Sequence, residues 1–117
     1  MTFERRKHLR MPVVWKATVR RISGEQLPGS TDNVSRDGLN VILPKALLLG
    51  EPVTIDVITQ CLGQTCYFRL DGVIVYAEAL ADNLGVAVGL RLLQPDGRYE
   101  ALIGALEQGP SGAPRRA

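Results

Sequence analysis

A chain of 117 residues with 45% hydrophobic and 22% charged side chains is sized for one soluble domain with a core of its own. Its uninterrupted apolar stretches, such as Ala46-Leu47-Leu48-Leu49, are far short of a membrane span, and no apolar signal core follows the basic first ten residues, so a cytoplasmic protein without a spanning segment is expected. The net charge of +2 conceals a division: residues 1–21 hold seven basic side chains against Glu4, a net +6, and the remainder holds seven against eleven acidic ones, a net −4.

Positive charge gathered at one end implies an anionic partner there. The charge sits on the run Arg5-Arg6-Lys7-His8-Leu9-Arg10, which Pro12 ends. Residues 1–12 read as a flexible basic arm with little apolar surface to pack, whose ordering awaits a partner. Arg6 and Arg10 are the informative pair. A guanidinium fork matches the O6 and N7 acceptors of guanine, and it also pairs with phosphate oxygens. His8 is read as facing solvent within the arm.

Residues 13–107 are dominated by short alternating runs between turn residues, the pattern of a sheet closed on itself. Val13, Trp15, Ala17 and Val19 share one face of a first strand, with Trp15 assigned to the core. Gly24 to Pro28 reads as a turn, and a second strand runs from about Gly29 to Val34. The turn Asn33-Val34-Ser35-Arg36-Asp37-Gly38 follows. Its Asn33 side-chain oxygen can accept from guanine N1–H or N2–H₂, and Ser35, two residues on and therefore on the same side, can donate to a base or phosphate. Gly38 permits a positive φ and close approach to a ligand. Asp37 is read as a turn former, and Asp32 as pointing away from Asn33 if the strand is regular.

Leu39, Val41 and Leu43 alternate in a third strand that Pro44 ends, and Val53, Ile55 and Val57 in a fourth. Residues 60–65 read as a polar connection. A long fifth strand, about Cys66 to Glu78, puts Phe68, Leu70, Ile74 and Tyr76 on one face, with a bulge or bend expected at Gly72. Gly85 to Leu93 forms a sixth. The period then changes: Asp96 can cap a helix whose Tyr99, Leu102, Ile103 and Leu106 form one apolar stripe. Residues 108–117, rich in Gly and Pro, read as a disordered tail.

No nucleophile–base pair is identifiable by spacing, so the chain is not read as an enzyme. Cys61 and Cys66 lack two further metal ligands, and neither a metal nor a resident cofactor is expected.

An R-x-x-x-R arm, Arg6 to Arg10, followed by N-x-S-x-x-G, Asn33 to Gly38, and then by a barrel pattern and a C-terminal helix resembles the PilZ domain family. The late strand Val88-Gly89-Leu90-Arg91-Leu92 is similar too, and the likeness covers about residues 4–107. It implies an all-β fold, a six-stranded antiparallel β-barrel of Greek-key type with a C-terminal α-helix and a flexible N-terminal arm.

The resemblance also implies a bacterial receptor for cyclic di-GMP, in which Arg6 and Arg10 hold guanine edges and phosphates, Asn33 and Ser35 read a guanine, and Gly38 shapes the turn. Arg5, just before the first motif arginine, implies an intercalated pair of ligand molecules. Tyr76 matches loosely a position where similar proteins stack an aromatic on guanine, with core packing as the alternative. Asn33 stands where the family more often has aspartate. Ligand-induced wrapping of the arm would create a surface for a downstream protein, from a receptor that is a monomer or weak homodimer. The alternatives are a ligand-free adaptor of the same fold and a nucleic-acid-binding barrel, the latter disfavoured by the 5% aromatic content.

Overall fold

The computed structural model describes residues 9–61, 63–94 and 96–108. Six antiparallel strands, β1 (Lys16–Arg21), β2 (Gln26–Val34), β3 (Gly38–Leu43), β4 (Pro52–Cys61), β5 (Gln64–Ala79) and β6 (Val86–Leu92), close into a barrel in the order β1-β2-β3-β6-β5-β4, and a helix, α1 (Gly97–Glu107), follows. Strand β4 returns beside β1, so the strands run 4-1-2-3 in space, the Greek-key arrangement anticipated from the family likeness. Closure leaves no unpaired sheet edge to be managed.

Alternation fills the barrel. Ala17 and Val19 of β1, Leu39, Val41 and Leu43 of β3, Ile55 and Val57 of β4, Phe68, Leu70 and Ile74 of β5, and Val88 and Leu90 of β6 all point inward and are buried together with Trp15. The Asp96 carboxylate accepts from Tyr99 N at 2.9 Å and so caps α1. The helix lays Tyr99 and Ile103 into the core, with Leu102 and Leu106 packed beside them.

The strands depart from the sequence reading in identifiable ways. The first turn is tighter than expected, so Gln26, Leu27 and Pro28 belong to β2. Residues 60–65 are not a polar connection: β4 and β5 pair out to Cys61 and Gln64, and Gly63 at φ 80 sits in the hairpin turn. In β5 the irregularity lies between Ile74 and Tyr76 rather than at Gly72, and a second one in β2 lies between Thr31 and Asn33. Each inserts one residue, Val75 and Asp32, against the facing strand.

The arm is anchored sooner than its composition implied. Met11 is buried and exchanges both backbone hydrogen bonds with Val34, at 2.8 and 2.9 Å. Thr31 Oγ1 donates to Val13 O at 2.7 Å and accepts from Trp15 N at 2.8 Å. Residues 11–15 are therefore laid along the end of β2, and Arg10 leaves from a fixed point.

At the opposite side, Arg21 joins β1 to the turn before β4, donating from Nε to Glu51 Oε2 at 2.6 Å and from Nη2 to Oε1 at 3.0 Å. The guanidinium hydrogen bonds hold the Glu51 carboxyl below its ordinary value of 4.5. The unfolded chain then binds the proton more tightly than the folded one, so this contribution to stability is complete above about pH 4.5 and lost as pH falls through the depressed folded value. Thermal melts across that acid range are expected to show a smaller drop for Glu51→Gln than for the wild type, from a lower starting stability at pH 7.

Candidate functional site

Residues that face each other across a sheet form rows, and one row crosses four strands here. Asn33 of β2 pairs with Asn40 of β3, Asn40 with Gly89 of β6, and Gly89 with Tyr76 of β5. Regular alternation after inward-facing Thr31 and Ile74 would send Asn33 and Tyr76 into the core. The two bulges shift the phase by one residue, so Val34 and Ala77 take the inward places and Asn33 and Tyr76 are turned out. The alternation assumed for Phe68, Leu70, Ile74 and Tyr76 therefore fails at its last member, and Tyr76 is 37% exposed.

Above the row lies an open cleft of about 580 Å³ lined by Arg10, Pro12, Asp32, Asn33, Asn40 and Tyr76. Arg10 Nη1 donates to Asn33 Oδ1 at 2.8 Å, joining the arm motif to the turn motif. Asn33 Nδ2 donates to Asp32 Oδ2 at 3.1 Å. As the inserted residue of the β2 bulge, Asp32 does not face away from Asn33; both line the cleft, because the strand is not regular there. Asn40 Nδ2 donates to the Tyr76 hydroxyl at 3.1 Å. Two buried polar atoms in this cleft have no partner, Arg10 Nε and Asn40 Oδ1.

Gly89 makes the floor of the row. A Cβ there would stand 2.8 Å from Tyr76 Cδ2 and 3.3 Å from Asn40 Oδ1, so the Tyr76 side chain lies against bare backbone. Asn40, absent from the sequence-derived site, had a legible signal: it is the one polar residue in the apolar run Leu39-Asn40-Val41-Ile42-Leu43.

Ser35 and Gly38 play other parts than expected. Because β2 ends at Val34, the two-residue step from Asn33 no longer keeps Ser35 on the same side, and Ser35 is fully buried. Its Oγ donates to Asp37 Oδ1 at 2.7 Å, and its backbone N–H donates to Gly38 O at 2.9 Å, which closes the turn. Gly38 is not among the positive-φ glycines; a Cβ on it would meet Leu90 O at 2.4 Å, so its requirement is close approach to β6 rather than a left-handed backbone.

Helix α1 holds this turn from behind. The Tyr99 hydroxyl donates to Ser35 O at 2.8 Å, and Arg36 reaches Glu107 Oε1 at 2.8 Å through Nη2. Burial, with Asp37 adding to it, pushes the Tyr99 hydroxyl well above its ordinary value and keeps it a donor. Of the other proposed ligand residues, Arg5 and Arg6 lie outside the described residues, as do His8 and residues 109–117 of the expected tail.

Comparison with known proteins agrees with the architecture. The model of the PilZ domain family matches residues 4–108. The inhibitor of motility MotI/DgrA of Bacillus subtilis superposes with a TM-score of 0.76 at 17% identity, covering 91% of this chain and 51% of that one. The PilZ domain of YcgR from Escherichia coli, in a structure with cyclic di-GMP, gives 0.69 at 18% identity, covering 90% and 93%. YcgR itself in complex with cyclic di-GMP gives 0.70 at 17%, with 89% of this chain and 45% of that one covered. The chain thus spans about half the length of MotI and of YcgR. A search of the curated proteins returned no match.

Gly38→Ala is expected to cost about 1–3 kcal/mol, the usual range for overpacking a closed site, because the added methyl meets backbone that cannot rotate away. Urea denaturation of the two proteins measures it.

Proposed function

The chain belongs to the PilZ domain family, and on that premise we propose that it is a receptor for cyclic di-GMP, captured in the cleft between Arg10 and Tyr76. The observation that carries this reading is the joining of the two motifs: Arg10 is seated on Asn33 at 2.8 Å and its Nε is buried without an acceptor. Leaving such a donor unpaired costs about 1–3 kcal/mol, which a ligand acceptor would recover. A guanine presents O6 and N7, and a phosphodiester its oxygens, to the same planar fork.

Charge orients the ligand. The two phosphodiesters are drawn to the arm side, where residues 1–21 carry net +6. Asp32 on the cleft wall repels phosphate and accepts N–H groups, so the base lies toward the sheet. The Tyr76 ring, half exposed beside Gly89, offers a stacking surface of a kind that contributes about 1–3 kcal/mol per base. Ser35 and Gly38 act through the shape of the turn that carries Asn33. Arg5 and Arg6 then close over the ligand as the arm wraps down from the Met11 anchor, with two intercalated ligand molecules per chain. The ordered arm and the exposed part of the ligand form the surface that a downstream protein reads. The cyclic di-GMP held by the PilZ domain of YcgR supports the choice of ligand.

Calorimetric titration with cyclic di-GMP, cyclic di-AMP, GMP and GTP tests the reading. Cyclic di-GMP alone is expected to bind tightly, at two molecules per chain. Arg10→Ala is expected to weaken it by about 1–3 kcal/mol, roughly 5- to 150-fold, and Arg6→Ala by a similar amount. Absence of binding, or indifference to both substitutions, would overturn the proposal. Steeply salt-dependent binding of any oligonucleotide, with no preference for cyclic di-GMP, would replace it with nucleic-acid binding.

A further inference from the structure

The acceptor assigned to Asn33 by sequence already carries one hydrogen bond, which leaves it one lone pair. Its Oδ1 accepts a hydrogen bond from Arg10 Nη1 and its Nδ2 donates to Asp32, so Asn33 serves to seat the arginine. The vacant acceptor lies one strand over. Asn40 is 8% exposed, its Oδ1 has no partner, and it belongs to the same row as Asn33, Gly89 and Tyr76.

We propose that Asn40 is the guanine-reading residue of the cleft: its Oδ1 accepts a hydrogen bond from the exocyclic 2-amino group of a bound guanine. The inference rests on the receptor reading above and specifies which ligand atom decides selectivity. Neighbouring strands are about 4.8 Å apart, so acceptors and donors on β2 and β3 are spaced to meet opposite edges of one purine. With the Arg10 fork on the O6/N7 edge over β2, the far end of the base, which carries the 2-amino group, reaches toward β3 and Asn40. Adenine has no group there, and a site that leaves a buried acceptor unpaired rejects it.

Asn40 Oδ1 is buried in the free protein, and Tyr76 is its neighbour over Gly89. That side chain is 37% exposed, rests on Gly89 and is tied to the row by its hydrogen bond from Asn40 Nδ2 at 3.1 Å. Rotation of Tyr76 off Gly89 frees Asn40 Nδ2 and opens space beside Oδ1. The base then takes the place vacated by the ring, and the ring closes on the face of the base. Gly89 is required because a Cβ at 2.8 Å from the ring would hold Tyr76 away from its resting place.

The test compares cyclic di-GMP with cyclic di-inosine monophosphate, which lacks only the two 2-amino groups, on wild type and on Asn40→Leu. Wild type is expected to bind the inosine analogue about tenfold more weakly, the size of one hydrogen bond to a buried acceptor. In Asn40→Leu the two ligands are expected to bind alike, at about the affinity of wild type for the analogue. Equal binding of both ligands by wild type would overturn the inference without recourse to any variant. So would an Asn40→Leu protein that keeps the full preference for guanine. In either case cyclic di-GMP still binds, and the receptor reading stands; failure of wild type to bind cyclic di-GMP at all sinks both.

Discussion

Two inserted residues, Asp32 in β2 and Val75 in β5, decide what this barrel shows to its surroundings. A strand has a period of two, so a single insertion exchanges the inside and outside for everything beyond it. Placed on the two strands that flank the β3–β6 pair, the insertions turn Asn33 and Tyr76 out at the same level. Between them Asn40 and Gly89 complete a row across the sheet. The cleft is therefore a consequence of register: without the shifts its two outer walls would be competing for space in the core.

Among the described residues, the buried polar side-chain atoms without a partner lie in and beside this row. Nearly all buried polar groups in folded proteins have partners, and an orphaned one calls for an explanation. Here the orphans are a donor, Arg10 Nε, and an acceptor, Asn40 Oδ1, on two sides of one cleft. Their chemistry is complementary to a heterocycle that offers acceptors on one edge and a donor on another. A plain anion would satisfy the arginine and leave the asparagine unpaired.

Hydrogen bonds are distributed unevenly around this cleft. The turn from Ser35 to Gly38 is closed on itself through Asp37 and tied to α1 through Tyr99 and Arg36. Such a turn presents Asn33 at a fixed place and leaves movement to the groups on the rim. Arg10 hangs from the Met11–Val34 bridge, with the charged arm beyond it, and Tyr76 is held at its outer end by one hydrogen bond. Capture of the proposed ligand would then need no rearrangement of the barrel.

The sequence by itself determined the number of strands, most of their inward faces, the Asp96 cap, the apolar stripe of the helix, and the two motifs. Each of these follows from local periodicity or from the chemistry of a few adjacent residues. Tertiary structure alone decided that Asn33 holds Arg10, that Ser35 and Asp37 lock a turn, and that Gly38 is needed for its lack of a side chain against Leu90; Asn40 shows in the sequence as a polar residue in an apolar run, and strand pairing placed it in the cleft. These facts depend on which residues meet across strands. A bulge leaves little trace in alternation, since Asp32-Asn33 and Val75-Tyr76 read equally well in either phase, and only the pairing of β2 with β3 and of β5 with β6 selects one.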